Sequence, residues 1–410
     1  MSGTVFARRI AIVCPQSVDA AQRYVDGAHA NGAEPLIITT PGSGQYESLR
    51  KRFHTELIGT LDTEGASLRD CLLRFDDLAG LAAAGEFAVV PTEHAASALG
   101  LRRAMRGDPN VLRNKAAMRA AFDRAGVHQP NVFGVANDIE AVSSLAASIC
   151  RYPVISKPVE LAGSWYVSLN QNAEEILANA RPIFDYPRSL QTGLPLATHC
   201  LIEQYVEGPE YSAEAVVLDG RVLQVFITRK ITSPPPHFDE VGHVSGLPIG
   251  PVRRARIEEV VQRVATAALI DSAVLHVEFR LTELGPCVIE AGARVGGDQI
   301  SKLVELQHGV SLEGALVALR LGNFPEPSRP LTDEVTGIRF CFPDFQLPSI
   351  SGERVLGQGE LNPGVKMQDG LSPTHLQNRR GFQIFRASAA AVRDTLGFAE
   401  ATIDHAFASR

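Results

Sequence analysis

The stretch Val274 to Asp298, reading VLHVEFRLTELGPCVIEAGARVGGD, narrows most what this chain can fold into. Two runs with strand alternation flank Thr282-Glu283-Leu284-Gly285-Pro286, whose glycine and proline read as a turn. In the first run Leu275, Val277, Phe279 and Leu281 share one face, and His276, Glu278 and Arg280 share the other. Folding symmetrically about Leu284 places Glu278 opposite Glu290. Like charges directly across a strand pair destabilise it, so the pair predicts a cation between them, and hard oxygen ligands suit Mg²⁺. Arg294, Gly296, Gly297 and Asp298 follow at once, supplying an anion-binding side chain and backbone that a ligand can approach closely. Together these groups read as a site for Mg²⁺ and phosphate. The alternative is a surface hairpin with solvated charges.

The 410 residues allow roughly two or three domains. A net charge of −7 with no basic block argues against nucleic acid as a partner. No apolar run reaches the roughly 18 residues that suggest a membrane span, and the N-terminus runs into a strand without a signal-peptide pattern. Six cysteines lack CxxC spacing and read as buried thiols in a reducing cytoplasm.

Along the chain, Arg9 to Cys14 is a buried strand, Val18 to Ala30 a helix and Pro35 to Thr39 a second strand, a βαβ beginning that implies a parallel sheet. Phe87 to Val90 reads as a third strand. Ligands of open α/β sheets sit at carboxyl strand ends, which makes Glu93 either a ligand contact or the acidic opening of the next helix. Asp108-Pro109 or Asn114 caps a helix that ends at Gly126 and starts near Lys115, an unfavourable place for a cation unless it faces an anion. Lys157 lies in a short apolar strand, where burial demands an anionic partner. With Ala162-Gly163-Ser164 it suggests a flap over phosphates. The run Glu203-Gln204-Tyr205-Val206 to Glu210 offers backbone groups for an adenine edge and an acceptor for ribose. Glu214 to Phe226 is a hairpin turning at Asp219-Gly220. Arg229 to His243 reads as irregular because of its three consecutive prolines, and as functional because of its polar groups. Pro251 to Leu269 is helical.

These pieces resemble the ATP-grasp superfamily, and within it carboxylate–amine ligases of the L-amino acid ligase type. The resemblance rests on Asn114-Lys115, Ile155-Ser156-Lys157-Pro158 with Ala162-Gly163-Ser164, Glu203 through Glu210, and Val274 to Asp298. His237 to His243 looks like that subfamily's active-site loop, and Gly337-Ile338-Arg339 with Arg380-Gly381 looks like its lid domain. The resemblance implies an α/β chain with an ATP-grasp fold: a parallel-sheet domain over 1–110, an ATP-grasp domain over 111–325 with a flap near 130–212, and a C-terminal lid over 326–410. It implies that Lys115, Lys157 and Ser164 meet ATP phosphates, that Glu203, Gln204, Tyr205 and Val206 line the adenine pocket, and that Glu210 holds the ribose. Glu278 and Glu290 would bind Mg²⁺ or Mn²⁺. Arg294 would steady the acyl phosphate, with Gly296 and Gly297 beside the substrate and Glu93 recognising an amino acid. Lys230, Glu240 and His243 would be site residues, the last two as candidate bases.

The implied reaction joins a small carboxylate to an amine with release of ADP and phosphate. Two other readings are transfer of an aminoacyl group to a carrier protein and a non-catalytic ATP-binding module. A homodimer is compatible with the family. The chain departs from the family pattern in having Gly292 where asparagine is frequent, and Trp165-Tyr166 in the flap.

Overall fold

The computed structural model describes residues 8–398 apart from 236, 326–327, 362–371 and 373. Strands β1 (Arg9–Val13), β2 (Glu34–Thr39), β3 (Thr55–Leu57) and β4 (Leu78–Ala83) form a parallel sheet in the order β3-β2-β1-β4. All of β1 but its first residue is buried, as its unbroken apolar run requires. Ser17 caps the helix Val18–Ala30 by accepting from the Ala20 amide at 3.1 Å.

The strand expected at Phe87 to Val90 is instead a short turn, Glu86–Ala88, running into the helix Val89–Ala98. The real strand is the preceding LAGLAA, whose alanines and glycine carry little β-branched signal. The shift turns Glu93 into a mid-helix residue and brings Glu86 to the strand's carboxyl end.

A second sheet, ordered β5-β8-β6-β7, is antiparallel and built from β5 (Val132–Ala136), β6 (Val154–Pro158), β7 (Ser168–Asn170) and β8 (Cys200–Gln204). These strands lie within the segment expected as the flap, near 130–212. Its core is closed by the helices Ile139–Ser148 and Ala173–Ala180 through Val142, Ala146, Ile176 and Ala180.

The centre is an eight-stranded antiparallel sheet of β9 (Glu210–Leu218), β10 (Arg221–Thr232), β11 (Glu240–Ser245), β12 (Ala273–Thr282), β13 (Gly285–Gly292), β14 (Val335–Cys341), β15 (Arg354–Glu360) and β16 (Gly381–Ala387). Their order is β13-β12-β9-β10-β11-β14-β16-β15. The helices Lys115–Arg124 and Pro251–Ala267 cover one face through Met118, Phe122, Ile257 and Val261. On the other, Leu312, Leu316 and Leu319 of the helix Leu312–Leu321 share a core with Ile10, Ile12 and Ala82 of the parallel sheet. That helix also meets Val18–Ala30 so closely that a Cβ on Gly27 would lie 2.7 Å from Gly314 Cα. The C-terminal strands extend the central sheet through β11 and β14, so β14, β15 and β16 share one hydrogen-bonded layer with the preceding strands. The expected start of the C-terminal lid, at 326, falls at residues 326–327, outside the described residues.

The Asp219-Gly220 turn has φ of 49° and 78°, the left-handed pair that a two-residue hairpin needs. The segment expected to be irregular is half strand, since β10 runs to Thr232 and β11 begins at Glu240. Pro236 of its proline run lies outside the described residues. All six cysteines are unpaired, and Cys150, read as buried, is exposed. No helix among the described residues is long and apolar enough to cross a membrane.

Candidate nucleotide and metal site

Glu278 and Glu290 do face each other across β12 and β13, though not by the symmetry first supposed. The turn holds only Glu283-Leu284, which pairs Thr282 with Gly285 and Phe279 with Val288. A bulge at Ile289 then shifts the register by one and restores the Glu278–Glu290 pair. Each carboxylate meets an ammonium. Lys115 Nζ lies 3.0 Å from Glu290 and Lys230 Nζ lies 2.8 Å from Glu278.

Lys230 is buried among Glu240 at 2.7 Å, Glu278 at 2.8 Å and Glu210 at 3.3 Å. Burial opposes its charge, but Glu240, Glu278 and Glu210 outweigh burial and raise it well above an ordinary lysine. Burial likewise opposes ionisation of Glu278, and Lys230 and His276 outweigh it to hold the carboxylate below its usual range. His276 bridges Glu214 at 2.6 Å and Glu278 at 2.9 Å, and these carboxylates overcome burial to lift it to about 10. Gly296 is obligatory beside this chain, because its Cβ would sit 2.7 Å from Glu214 and 2.9 Å from His276. His243 is fully buried, with Nε2 3.2 Å from Glu240. Glu240, His243 and Asp298 bring one ligand atom each within 4.8 Å of one another, but Lys230 and Arg379 already balance the two carboxylates.

Lys157 faces a different setting. Its ammonium contacts Glu203 at 2.5 Å, and Arg119 donates to the same carboxylate at 2.8 Å. Burial and the neighbouring Arg119 and Lys115 leave Lys157 below its ordinary value despite Glu203. Burial would raise the Glu203 carboxyl, and Lys157 with Arg119 instead holds it at about 2. The Glu203 side chain is therefore committed to these cations, and any contribution to an adenine pocket falls to its backbone. Arg119 was not anticipated. Its signal is a second cation one turn beyond Lys115 on the same helix.

A cleft brings together Lys115, Lys157, Ser164, Glu203, Gln204, Tyr205, Val206, Glu210, Glu240, Glu278, Glu290 and Arg294. It adds Phe238 and Arg280. Tyr205 and Phe238 stack at 5.7 Å, with the Arg280 guanidinium 5.2 Å from the first ring and 4.9 Å from the second. Arg280 also donates to the Val206 carbonyl at 2.9 Å and contacts Glu210 at 3.2 Å, fixing the connection between β8 and β9. In the flap Gly163, Ser164 and Tyr166 all take positive φ, and Trp165 packs edge-on against His375 of the C-terminal region at 5.0 Å.

A larger cavity adjoins the cleft and shares Glu240, Glu278, Arg294 and Trp165 with it. Arg294 donates to Glu86 at the cavity wall, and Arg113 lies 3.8 Å from the other Glu86 oxygen. Burial would raise this carboxyl, but Arg294 and Arg113 hold it at about 2. Gly296 and Gly297 line the same cavity, whereas Glu93 lines neither space. Glu93 is buried in its helix, accepts the Ala104 amide at 2.7 Å and lies 3.5 Å from Arg320. Its carboxylate is thus engaged inside the protein, and the acid of this region that lines the second cavity is Glu86. Gly292 lies beside the Glu86–Arg294 pair, where a Cβ would make ordinary contact at 3.6 Å with the Glu86 carboxylate.

The donor set fits a hard divalent cation. Glu278 and Glu290 offer carboxylate oxygens side by side on adjacent strands, partly exposed to the cleft.

Residues 150–302 match the ATP-grasp domain family. The chain is 33% identical over 209 residues to "Uncharacterized protein y4rH" of Sinorhizobium fredii, covering 51% of this chain and 42% of that protein. It is 25% identical over 253 residues to alanine–anticapsin ligase of Bacillus subtilis, covering 57% and 52% respectively. It thus spans about half the length of these curated relatives. The solved structure of an L-amino acid ligase from Bacillus licheniformis superimposes with a TM-score of 0.71 at 20% identity, covering 96% of this chain and 98% of that one. The chain carries an ATP-grasp domain and has the ATP-grasp fold.

Proposed function

We propose that the chain is an ATP-dependent carbon–nitrogen ligase that joins a carboxylate to an amine through an acyl phosphate, acting on amino acids or small carboxylic acids. The observation that carries this reading is the junction of two spaces. Lys115, Lys157, Glu278 and Glu290 line the cleft, and Glu278 and Arg294 also line the second cavity. Names of the similar proteins point the same way, since two are ligases of alanine or of L-amino acids.

ATP enters the cleft with its base beside the Gln204 to Val206 backbone and its phosphates toward Lys115, Lys157 and Ser164. Glu278 and Glu290 would hold Mg²⁺, which offsets phosphoryl charge and orients the transferring group. An oxygen of the substrate carboxylate attacks the γ-phosphorus, the bond to the bridging oxygen breaks, and ADP leaves. The amine nitrogen then attacks the acyl carbon, phosphate departs and an amide remains. Arg294 and the backbone around Gly296 and Gly297 steady the oxyanion of that addition. The amine must lose a proton, and Glu240 or His243 is the candidate acceptor. Trp165 and the C-terminal region close over the junction and keep water from the acyl phosphate.

The test is release of ADP and phosphate from ATP and Mg²⁺ with a matrix of paired L-amino acids and small carboxylic acids, with product masses read alongside. Release that requires one pair and yields an amide mass supports the proposal. Release with a carboxylate alone would move the acceptor to a carrier-bound amine. ATP binding with no release under any pairing would make the chain a non-catalytic module and end this reading.

A further inference from the structure

Four arginines line the second cavity, and three of them are already balanced by acids. Arg23 contacts Glu313 at 2.8 Å and Asp19 at 2.5 Å, Arg294 pairs with Glu86, and Arg379 contacts Asp298 at 2.7 Å. Arg188 is different. Its guanidinium donates to the Gly193 carbonyl at 3.2 Å and has no acidic partner among the described residues.

The segment bearing Arg188 is held in place although the side chain is exposed. Ser189 N donates to Leu194 O at 2.8 Å and Leu196 N to Pro187 O at 2.9 Å, which closes a small turn. This turn is seated on the N-terminal domain. Thr40 Oγ1 donates to the Gln191 carbonyl at 2.6 Å, and Thr60 Oγ1 and the Leu61 amide both donate to Thr192 O at 3.0 Å. A Cβ on Gly42 would lie 2.4 Å from Leu190 O, so the two segments touch backbone to backbone. An unbalanced guanidinium on a fixed mount at a cavity wall is pre-organised for an anion.

The geometry points to Arg188 as the group that binds the α-carboxylate of the amine-donating amino acid. The inference rests on the ligase reading and deepens it. Joining two amino acids consumes the carboxylate of the acyl donor at Arg294 and leaves the carboxylate of the amine donor intact. That second carboxylate brings its own negative charge into the cavity, where Arg188 is the lining arginine without an acidic partner among the described residues. A simple amine lacks the carboxylate and would forgo this contact, so Arg188 selects amino acids over other amines.

The test compares L-alanine, L-leucine and L-phenylalanine as amine donors with their α-amides, in the wild type and in Arg188→Gln and Arg188→Lys. A charge-assisted contact at an exposed arginine is worth about tenfold in KM. The wild type should prefer each acid over its amide by about that factor. Arg188→Gln should erase the preference, Arg188→Lys should restore part of it, and the KM for ATP should not move. Quenching of Trp165, the sole tryptophan, gives the same comparison as binding without turnover. A preference that survives in Arg188→Gln, or its absence from the wild type, would overturn the assignment. A wild type that shows the preference by quenching but releases no ADP would sink the ligase reading and spare this one.

Discussion

Two buried lysines lie at the heart of this molecule in opposite electrostatic settings. Lys157 shares one carboxylate, Glu203, with a second cation, Arg119. Lys230 faces three carboxylates, Glu210, Glu240 and Glu278. The first cluster carries surplus positive charge and the second surplus negative charge, and the same cleft is lined by both. Burial opposes both charges, so Lys157 stays below the ordinary lysine value, while three carboxylates outweigh burial and carry Lys230 well above it. A cleft with one cation-rich and one acid-rich wall is complementary to a metal–polyphosphate, with phosphate oxygens toward Lys157 and the metal toward Glu278 and Glu290. Lysine identity alone says nothing of this; the count of neighbouring charges does.

The sharpest break of the comparison is Glu290→Gln, which takes a ligand from the acid-rich wall and the partner from Lys115. Loss of metal stabilisation worth several kcal/mol corresponds to about 10²–10⁴-fold in rate. ADP release should fall by that amount while the circular-dichroism melt stays that of the wild type. Undiminished release would remove Glu290 from the metal site.

Next in size is a paired experiment on the two lysines. Lys230→Met leaves buried carboxylates facing one another and should cost about 3–5 kcal/mol of stability, measured by urea unfolding and partly recovered on adding Mg²⁺. Lys157→Met leaves Glu203 still paired with Arg119. That variant should fold, lose about 10–100-fold in ATP affinity by calorimetry, and gain nothing from Mg²⁺ alone. If both variants respond to Mg²⁺ alike, the two walls are not electrostatically distinct.

Much of this site was legible because its chemistry is written in strand alternation. Lys157 in an apolar strand announces a charge that needs an anion, and it meets Glu203; Glu278 does stand opposite Glu290. The cross-strand pair was inferred from symmetry that the hairpin does not have, and a bulge at Ile289 supplies the missing residue. Glu86 was missed because Leu78–Ala83 is a strand of small residues, while Phe87 to Val90 has stronger strand propensity and yet opens a helix. That slip set Glu93, and not Glu86, at the expected carboxyl end of a strand. Arg119, Arg280 and Phe238 depend on long-range packing that no local pattern encodes.

Acid titration sharpens the cation-rich side at a smaller scale. The Glu203 carboxyl is held at about 2, against 4.5 ordinarily. A depressed carboxyl contributes stability above its unfolded value and loses it as pH falls toward the folded one. The wild-type melting temperature should thus drop between about pH 4.5 and pH 2. Glu203→Gln should start less stable and show a shallower drop over that window. Parallel curves would mean that Glu203 is not ionised against Lys157 and Arg119 in the native state.

The smallest expected effect concerns Gly292, on the acid-rich wall's outer strand. A Cβ there meets Arg294 Cγ at 3.5 Å and Glu86 at 3.6 Å, which is ordinary contact, so the first carbon of an asparagine fits. The carboxamide beyond it must share space with the Glu86–Arg294 pair. Arg294 lines both spaces, so even a modest displacement of its guanidinium misplaces it relative to the reacting carboxylate. Gly292→Asn should lower kcat/KM for the carboxylate substrate by about 3–10-fold and leave the KM for ATP unchanged, because the nucleotide contacts lie on Lys157 and the flap. A rise in the KM for ATP would show that position 292 acts through the metal ligands, and the division between a substrate-positioning arginine and a metal-holding carboxylate pair would then collapse into one unit.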